Sequence, residues 1–395
     1  MARRQVSHMD RRQVLKLLGA VAAAGATGGA AGCGSNVPGT TMEQPSGRSI
    51  TIGLVSPAVG PYRKIGDDIT KGFKLYLDDH NQLLGRHRVT LVTADEGASA
   101  QTAVAAVSGL LEKSPIALAG LANPQTLGDV ATEIDKRKVP LVTTAVAPPT
   151  LTNKLFVWRV SQVEGEAGRA LAPYARGVGP KSFILREPGA TANIEAEEFA
   201  AAFADLGGRV VGDTTGATGF GARMQQAVNS GAETIFASVT GANAMAVLQA
   251  YRARVSGAKL IGPGSLTETV DLTKMGALPN NVYTSMYYAP DLENEENRRF
   301  VSSYHKRNGV QPSTYAMAAY DSASVLDKAL RLLGDDLTPA ALNRAFSLLG
   351  QMESPRGIWA FNINRTPQQK WFLRRLRKDG QVPANLIDAD LAVLS

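Results

Sequence analysis

The stretch SITIGLVSPAVGPYRKIGDDITKGFKLYLDDHNQLLGRHRVTLVTA, residues 49–94, has the hydrophobic pattern of a strand, a helix and a second strand. Residues 49–56 alternate and then run apolar, as a strand buried in a parallel sheet does. Apolar side chains recur at helical spacing over residues 67–84, and strand spacing returns over residues 88–94. Because strands joined through a helix pair in parallel, the stretch predicts a βαβ unit.

The same alternation continues along the chain and restarts after residues 156–159, which predicts an α/β fold of two doubly wound parallel-sheet units. A helical region over about 294–349 and a strand-like tail over 357–377 follow. The other predicted strands are 115–120, 139–144, 181–185, 208–212, 234–238 and 259–261. The other predicted helices are 100–111, 126–137, 194–206, 220–229 and 242–254.

The first 32 residues have the composition of an export signal. Basic residues precede Leu17, and a short block of small and apolar residues continues to about Ala26. A helix needs ~20 strongly apolar residues to cross a bilayer, so this block is too short to span but fits a signal peptide. The run Arg11–Lys16 (RRQVLK) is similar to twin-arginine signals, which carry folded proteins out of the cytoplasm. We therefore predict that residues 1–32 are a twin-arginine signal peptide.

The chain has one cysteine, Cys33, directly after this signal. A lone cysteine is commonly a buried structural residue, but Ala30–Cys33 (AAGC) resembles the bacterial lipobox, in which the thiol takes a lipid. We predict that Cys33 is the lipidated N-terminus and anchors the protein on the extracytoplasmic face of the membrane, in the periplasm if there are two membranes. Residues 33–48, rich in Pro, Gly, Ser and Thr, are then a flexible tether.

The net charge does not indicate a nucleic-acid-binding protein. The formal net charge is +7, and residues 1–32 contribute five basic side chains against one acidic side chain. The remaining chain has little basic excess, so no nucleic-acid partner is expected. The basic run Lys370–Lys378 (KWFLRRLRK) is interpreted as an exposed edge of a closing strand, and contact with anionic lipid headgroups is the alternative.

No constellation of residues indicates catalysis or a metal. The sequence has no Gly-x-Ser-x-Gly elbow and no Gly-x-x-x-x-Gly-Lys phosphate loop. The histidines His80 and His87 lack the His-Glu-x-x-His spacing of zinc enzymes. Adjacent acids such as Asp78 and Asp79 point apart on a helix. We therefore expect no enzyme, no cofactor and no metal site.

The order of several sequence blocks over about residues 49–382 resembles the type I periplasmic solute-binding proteins, in particular the branched-chain amino-acid receptors of ABC importers. The blocks are Ser56-Pro57 with Gly60-Pro61-Tyr62, Asp67–Asn81 (DDITKGFKLYLDDHN), Leu91–Glu96 (LVTADE), Val139–Ala145 (VPLVTTA), Tyr287–Asp291 (YYAPD) and Ala319-Tyr320-Asp321. The resemblance implies a small polar solute, such as an amino acid or an amide, and delivery to an ABC permease by a monomeric receptor. A sensor or scaffold lipoprotein with the same clamshell is the alternative.

The resemblance also implies two lobes joined by three hinge crossings. The first lobe would contain residues 49–160 and 289–355, and the second would contain residues 161–286 and 357–390. The crossings would lie near residues 159–164, 283–288 and 358–361. A solute would bind in the cleft between the lobes, which would close over it by a hinge motion.

The ligand contacts are expected outside the carboxyl ends of the strands, where helix N-termini favour a carboxylate. Helix capping is the alternative role for the same polar residues. The predicted ligand-binding residues are Ser56, Tyr62, Asn123, Gln125, Thr126, Thr144, Ala145, Thr191, Asn243 and Tyr287.

Three departures from the family pattern bear on the solute. Ala147 stands near the position of the threonine that holds the ligand carboxylate, and Asn243 stands where a glutamate holds the α-ammonium. Residues 188–193 replace the Tyr-Gly-x-Gly turn. A buried ammonium without a carboxylate is costly, so Asn243 favours a neutral amide or hydroxyl over a branched-chain amino acid. The acids that could supply the missing carboxylate are Glu187, Glu195 and Glu268, with Glu187 the best placed.

Overall fold

The computed structural model describes residues 48–60, 62–254 and 257–394. The predicted signal peptide, Cys33 and nearly all of the predicted tether lie outside the described residues. No helix in the described part of the chain combines the length and the apolar character that crossing a bilayer requires.

Strands and helices alternate over most of the described chain. The strands are β1 (Ser49–Ser56), β2 (Leu83–Leu84), β3 (His87–Asp95), β4 (Ala117–Gly120), β5 (Leu141–Thr143), β6 (Val157–Arg159), β7 (Lys181–Arg186), β8 (Arg209–Thr215), β9 (Thr234–Ser238), β10 (Lys259–Pro263), β11 (Val282–Met286), β12 (Met352–Ser354), β13 (Gly357–Phe361), β14 (Pro367–Asp379) and β15 (Val382–Leu394). The helices are α1 (Arg63–Asp79), α2 (Ala100–Leu111), α3 (Pro124–Arg137), α4 (Glu166–Val178), α5 (Ala190–Asp205), α6 (Phe220–Asn229), α7 (Gly241–Arg252), α8 (Ser265–Glu268), α9 (Glu295–Asn308), α10 (Thr314–Arg331) and α11 (Pro339–Phe346).

The first lobe is built on a six-stranded sheet in the order β2-β3-β1-β4-β5-β6. Its strands pair in parallel, except that β2 is antiparallel to β3. Ile52, Leu54 and Val55 on β1 are fully buried, as expected for a strand with both faces covered. On one face α1 packs closely against α10, because a Cβ added to Gly72 would lie 2.0 Å from the carbonyl oxygen of Ala316.

The second lobe is built on a sheet in which β8, β7, β9, β10 and β11 pair in parallel. The sheet has nine strands in the described chain, because it extends through β14 to β12 and β13, whose Met352 and Trp359 pack in the core of the first lobe. The antiparallel strand β14 continues this sheet beside β11, and β15 pairs with β14 along its length. The sheet therefore combines the expected parallel strands with an antiparallel hairpin formed by β14 and β15. The predicted α/β class with two parallel-sheet lobes is confirmed, whereas β15 was not predicted.

The basic run Lys370–Lys378 does not form an exposed edge, and that interpretation is wrong. This run lies on β14, which is hydrogen-bonded to β11 on one side and to β15 on the other. Trp371 and Arg374 are fully buried. The guanidinium of Arg374 donates to the carboxylate of Glu268 and to the carbonyl of Tyr288. Its charge therefore contributes to an internal ion pair and not to a solvated face.

The described chain passes between the lobes three times: between β6 and α4, between β11 and α9, and between β13 and β14. The buried side chain of Arg356 contacts the first two connections and the start of β14, which directly follows the third. It donates to the carbonyl of Val160 at 2.7 Å and to the amide oxygen of Gln369 at 2.5 Å. Its guanidinium carbon lies 4.9 Å from the ring centroid of Tyr287. It also pairs with Asp321 of α10 at 2.7 Å.

Candidate ligand-binding cavity

A cavity with a largely apolar lining and several polar side chains lies between the two lobes, outside the carboxyl ends of strands from both sheets. Its wall from the first lobe includes Tyr62, Ile65, Gln125, Val146 and Tyr315. Its wall from the second lobe includes Glu187, Thr191, Glu195, Ser238, Thr240 and Ser265. The centre of a water molecule can occupy about 90 Å³ of the cavity, which corresponds to several water molecules. The geometry therefore suits a small solute, at the place where doubly wound sheets bind ligands.

Glu187, which follows β7, presents an oriented carboxylate to this cavity. One oxygen accepts a hydrogen bond from the hydroxyl of Thr240 at 2.8 Å, and the other accepts one from the amide of Asn243 at 2.7 Å. Both donors lie at the start of α7. Asn243 therefore holds Glu187 in place and is not itself among the lining residues, whereas Glu187 is.

The electrostatic environment of the cavity is negative. Burial raises the pKa of Tyr62 to about 12, and the charges of Glu187, Glu96 and Glu164 add to that shift. Burial likewise raises the pKa of Tyr315 well above its usual range. No lysine, arginine or histidine is among the described residues that line the cavity. A cationic or hydrogen-bond-donating group of a solute is favoured here.

Three acids lie beside the first interlobe connection. Glu195 is 3% exposed, and its carboxylate accepts the backbone N–H of Gly168 at 2.9 Å. Burial raises the pKa of Glu195 to about 7, and the charges of Glu166 and Glu164 add to this. Burial also raises the pKa of Glu166 to about 7 and that of Glu164 in the same direction. The carboxylate of Glu164 accepts a hydrogen bond from the hydroxyl of Thr191, with 2.6 Å between the two oxygens. This hydrogen bond links the connection to the cavity wall.

A further buried acid, Glu96, organises the N-terminus of α3. Its carboxylate accepts the backbone N–H groups of Ala122 and Asn123 at 2.8 and 3.1 Å and the hydroxyl of Thr126 at 2.8 Å. Burial raises the pKa of Glu96, and these three hydrogen bonds oppose that shift. The acid therefore fixes the N-terminus of α3, from which Gln125 lines the cavity.

Of the ten predicted ligand-binding residues, Tyr62, Gln125 and Thr191 line the cavity. The other seven lie outside its lining: Ser56, Asn123, Thr126, Thr144, Ala145, Asn243 and Tyr287.

The side chains of several of those seven residues contact other groups of the protein. Asn123 caps α3 by accepting from the backbone of Gln125 at 3.0 Å, as the capping alternative predicted. The hydroxyl of Thr144 donates to the carbonyl of Leu121 at 2.6 Å, and that of Ser56 lies 3.0 Å from the hydroxyl of Thr70. Tyr287 packs against the guanidinium of Arg356.

Other lining residues were not singled out from the sequence. Ser238 ends β9, and Ser265 and Thr269 follow β10. Their position at or after the carboxyl ends of predicted strands is the signal that could have identified them. Of the three acids considered as substitutes, Glu187 and Glu195 line the cavity, whereas Glu268 is paired with Arg374 and donor groups of Thr314. No described group of three or more His, Cys, Asp or Glu residues is arranged to hold a metal.

Two lobes of parallel-rich α/β structure around a small cavity with several polar side chains in its wall define a solute-binding protein. The sequence pattern of the periplasmic binding protein family matches residues 49–381, and that of twin-arginine signal sequences matches residues 8–28. The chain therefore belongs to the periplasmic binding protein family, in the type I group that includes the branched-chain amino-acid receptors, and it is an exported protein. The predicted family is confirmed, and a solute-binding protein is expected to do no catalysis.

Known relatives agree with this assignment. The Leu/Ile/Val-binding protein homolog 6 of Brucella melitensis is 28% identical over 345 residues, which cover 83% of this chain and 88% of the relative. An ABC transporter solute-binding protein of R. palustris in complex with benzoate has a TM-score of 0.78 and 24% identity, covering 87% of this chain and 98% of its own. A substrate-binding protein of Desulfitobacterium hafniense in complex with Leu has a TM-score of 0.73 and 20% identity, covering 86% and 100%. The two structures support the fold alone.

Proposed function

We propose that the protein is a lipid-anchored extracytoplasmic receptor that captures a small polar solute, an amino acid, an amide or a related compound, and delivers it to an ABC permease. The observation that carries this proposal is the oriented carboxylate of Glu187 in a small cavity whose described lining contains no basic side chain. The lipid on Cys33 is inferred from its lipobox-like context.

The cavity suits a solute that carries an ammonium group. Both oxygens of Glu187 are held by hydrogen-bond donors, so the carboxylate stays in one orientation and a cation beside it needs no protein rearrangement. An ammonium placed there replaces its lost hydration by a charge pair. A carboxylate on the same solute has the N-terminus of α5 available, next to Thr191, because no side chain caps that helix.

The cavity suits an aromatic carboxylate such as benzoate less well. No lysine, arginine or histidine lines it in the described chain to balance the anion, and the carboxylate of Glu187 repels one. The similarity to the benzoate complex of R. palustris therefore supports the architecture and does not favour the same solute.

A thermal-unfolding screen of the full chain in detergent tests the proposal. The panel contains branched-chain and polar amino acids, their amides, benzoate and 4-hydroxybenzoate. A solute that binds only the folded state adds about 2.7 kcal/mol of stability at a hundredfold excess over its dissociation constant. We expect the unfolding midpoint to rise with compounds that carry an ammonium or amide group. A rise with the benzoates alone would contradict the proposal.

Delivery to a permease is tested separately in cells. Deletion of the gene should abolish uptake of the radiolabelled solute identified in the screen, and the intact gene should restore it. Uptake that continues at the same rate without the receptor would favour the sensor or scaffold alternative.

A further inference from the structure

Gln162 presents a buried hydrogen-bond acceptor that nothing in the described chain satisfies. It lies on the connection from β6 to α4, lines the cavity and is 4% exposed. Its side-chain oxygen accepts no hydrogen bond from a described residue. A buried acceptor without a donor costs about 1–3 kcal/mol, and nearly all buried polar groups are paired. A donor that enters the cavity would remove this cost.

The backbone around Gln162 is held on the first-lobe side. Its carbonyl accepts the N–H of Ala147 at 3.1 Å, and the neighbouring hydroxyl of Ser161 donates to the carbonyl of Ala145 at 2.5 Å. On the other side, the carbonyl of Val160 accepts a hydrogen bond from the guanidinium of Arg356. The position from which the Gln162 side chain extends is therefore fixed before a solute arrives.

The polar groups on the adjacent cavity wall do not supply the missing donor. The hydroxyl of Thr191 already donates to Glu164, at 2.6 Å. The carboxyl of Glu195 acts as an acceptor for the N-terminus of α4. Thr191 and Glu195 are therefore engaged with other protein groups, and Glu187 has its own donors in Thr240 and Asn243.

We infer that Gln162 forms a second donor-binding subsite, so that the solute carries an ammonium group for Glu187 and a further N–H or O–H donor for Gln162. Diamines, amino alcohols and amino amides are solutes of this class. The inference rests on the proposed function, because it concerns the same cavity, and it narrows the solute from compounds with one donor group to compounds with two.

Length-matched probes isolate the second donor. 1,4-Diaminobutane and 4-amino-1-butanol carry two donor groups, whereas 1-aminobutane carries only the ammonium. Titration calorimetry of the full chain should show at least about tenfold tighter binding of the two-donor probes, which is the effect of about one hydrogen bond to a charged or buried group. Gln162→Met, which keeps the length and removes the acceptor, should reduce this preference to less than about threefold.

Two further variants control the experiment. Gln162→Glu keeps an acceptor and removes the amide donor, so it should retain the preference for 1,4-diaminobutane. Gln225→Met changes an exposed glutamine on α6 and should behave as the wild type. Without a solute, Gln162→Met should unfold at the wild-type midpoint or above it, because it removes an unpaired buried acceptor.

The outcomes separate this inference from the proposed function. If Gln162→Met weakens all three probes equally, or none of them, the second subsite does not exist. If the wild type prefers 1-aminobutane, or binds amino acids but none of the probes, the inference fails and the proposed function stands. If the wild type binds neither the probes nor any solute of the screen, both fail.

Discussion

The guanidinium of Arg356 donates a hydrogen bond at 2.7 Å to the backbone carbonyl of Val160, 196 positions earlier in the sequence. Val160 begins the first interlobe connection, and the same guanidinium also contacts Tyr287 on the second connection and Gln369 on β14, which directly follows the third. One buried charge therefore links two of the segments about which the lobes would move to the strand that follows the last of them.

Replacement of Arg356 by methionine should destabilise the protein strongly. Asp321 is 1% exposed and would lose its charged partner, which costs about 3–5 kcal/mol for a buried pair. Urea unfolding of the wild type and Arg356→Met measures the change. Arg299→Met removes an ion pair whose arginine is 63% exposed and should stay within about 0.5 kcal/mol. Equal costs for the two variants would contradict the role of Arg356.

Gly72 should tolerate no larger residue. In Gly72→Ala the new Cβ would lie 2.0 Å from the carbonyl oxygen of Ala316, so α1 and α10 must separate. We expect a loss of about 1–3 kcal/mol or more in urea unfolding. Gly109→Ala, in α2 with no atom within 4 Å of the new Cβ, should instead stabilise by about 0.5–1 kcal/mol. A neutral Gly72→Ala would show that the helices do not approach this closely.

Glu187→Gln should weaken binding of ammonium-bearing solutes without unfolding the protein. Loss of a charge-assisted contact predicts at least about tenfold weaker binding by calorimetry. Glu197→Gln, which changes an acid that is 70% exposed on α5, is the matched control and should bind as the wild type does. Unchanged affinity in Glu187→Gln, with an unchanged unfolding midpoint, would place the cation elsewhere.

The pH dependence of stability should depend on Glu195. Burial raises its pKa to about 7, from an ordinary value of 4.5. Between these pH values the folded state holds more protons than the unfolded state, so the free energy of unfolding falls as pH rises through this window. Glu195→Gln cannot titrate and should show a shallower fall, with part of the slope remaining because the pKa of Glu166 is also raised to about 7. Urea unfolding across this range measures both slopes, and identical slopes would contradict the assignment.

Membrane anchoring and export should be abolished by different mutations. Cys33→Ala removes the lipid acceptor, so the protein should still leave the cytoplasm but appear in the soluble extracytoplasmic fraction. Replacement of Arg11 and Arg12 by lysine should retain it in the cytoplasm, because both arginines define the export signal. Cell fractionation with immunoblotting measures both. Continued membrane association of Cys33→Ala would exclude lipidation as the anchor.

The sequence predicted the alternating strands and helices well because their hydrophobic patterns are local. The predicted bounds of α2, α6 and β9 agree with the structure at both ends. The strand β15 was missed because its residues are mostly half-buried or exposed, and its pairing with β14 contains two register shifts. Such a strand has little periodicity of its own, and the long antiparallel partner stabilises it.

The cavity was harder to predict than the fold. Polar residues after strands can cap helices, orient other side chains or bind a solute, and the same residue types suit each role. Asn123 caps α3, whereas Asn243 orients Glu187, which is a contact between residues 56 positions apart. Burial of Arg374 against Glu268 also depends on segments distant in sequence. These roles follow from tertiary packing, which spacing along the chain does not specify.

The position of β14 has a consequence for the order of events during synthesis. β11 ends at Met286, but its neighbour in the sheet does not begin until Pro367, after three helices and the β12–β13 hairpin have left the ribosome. Until then β11 has an open edge that can pair with other chains. The twin-arginine route carries folded proteins. Export directed by the N-terminal signal therefore requires that β14, near the C-terminus, has already been synthesised and has paired with β11. Truncations within β14 should therefore block export as well as folding.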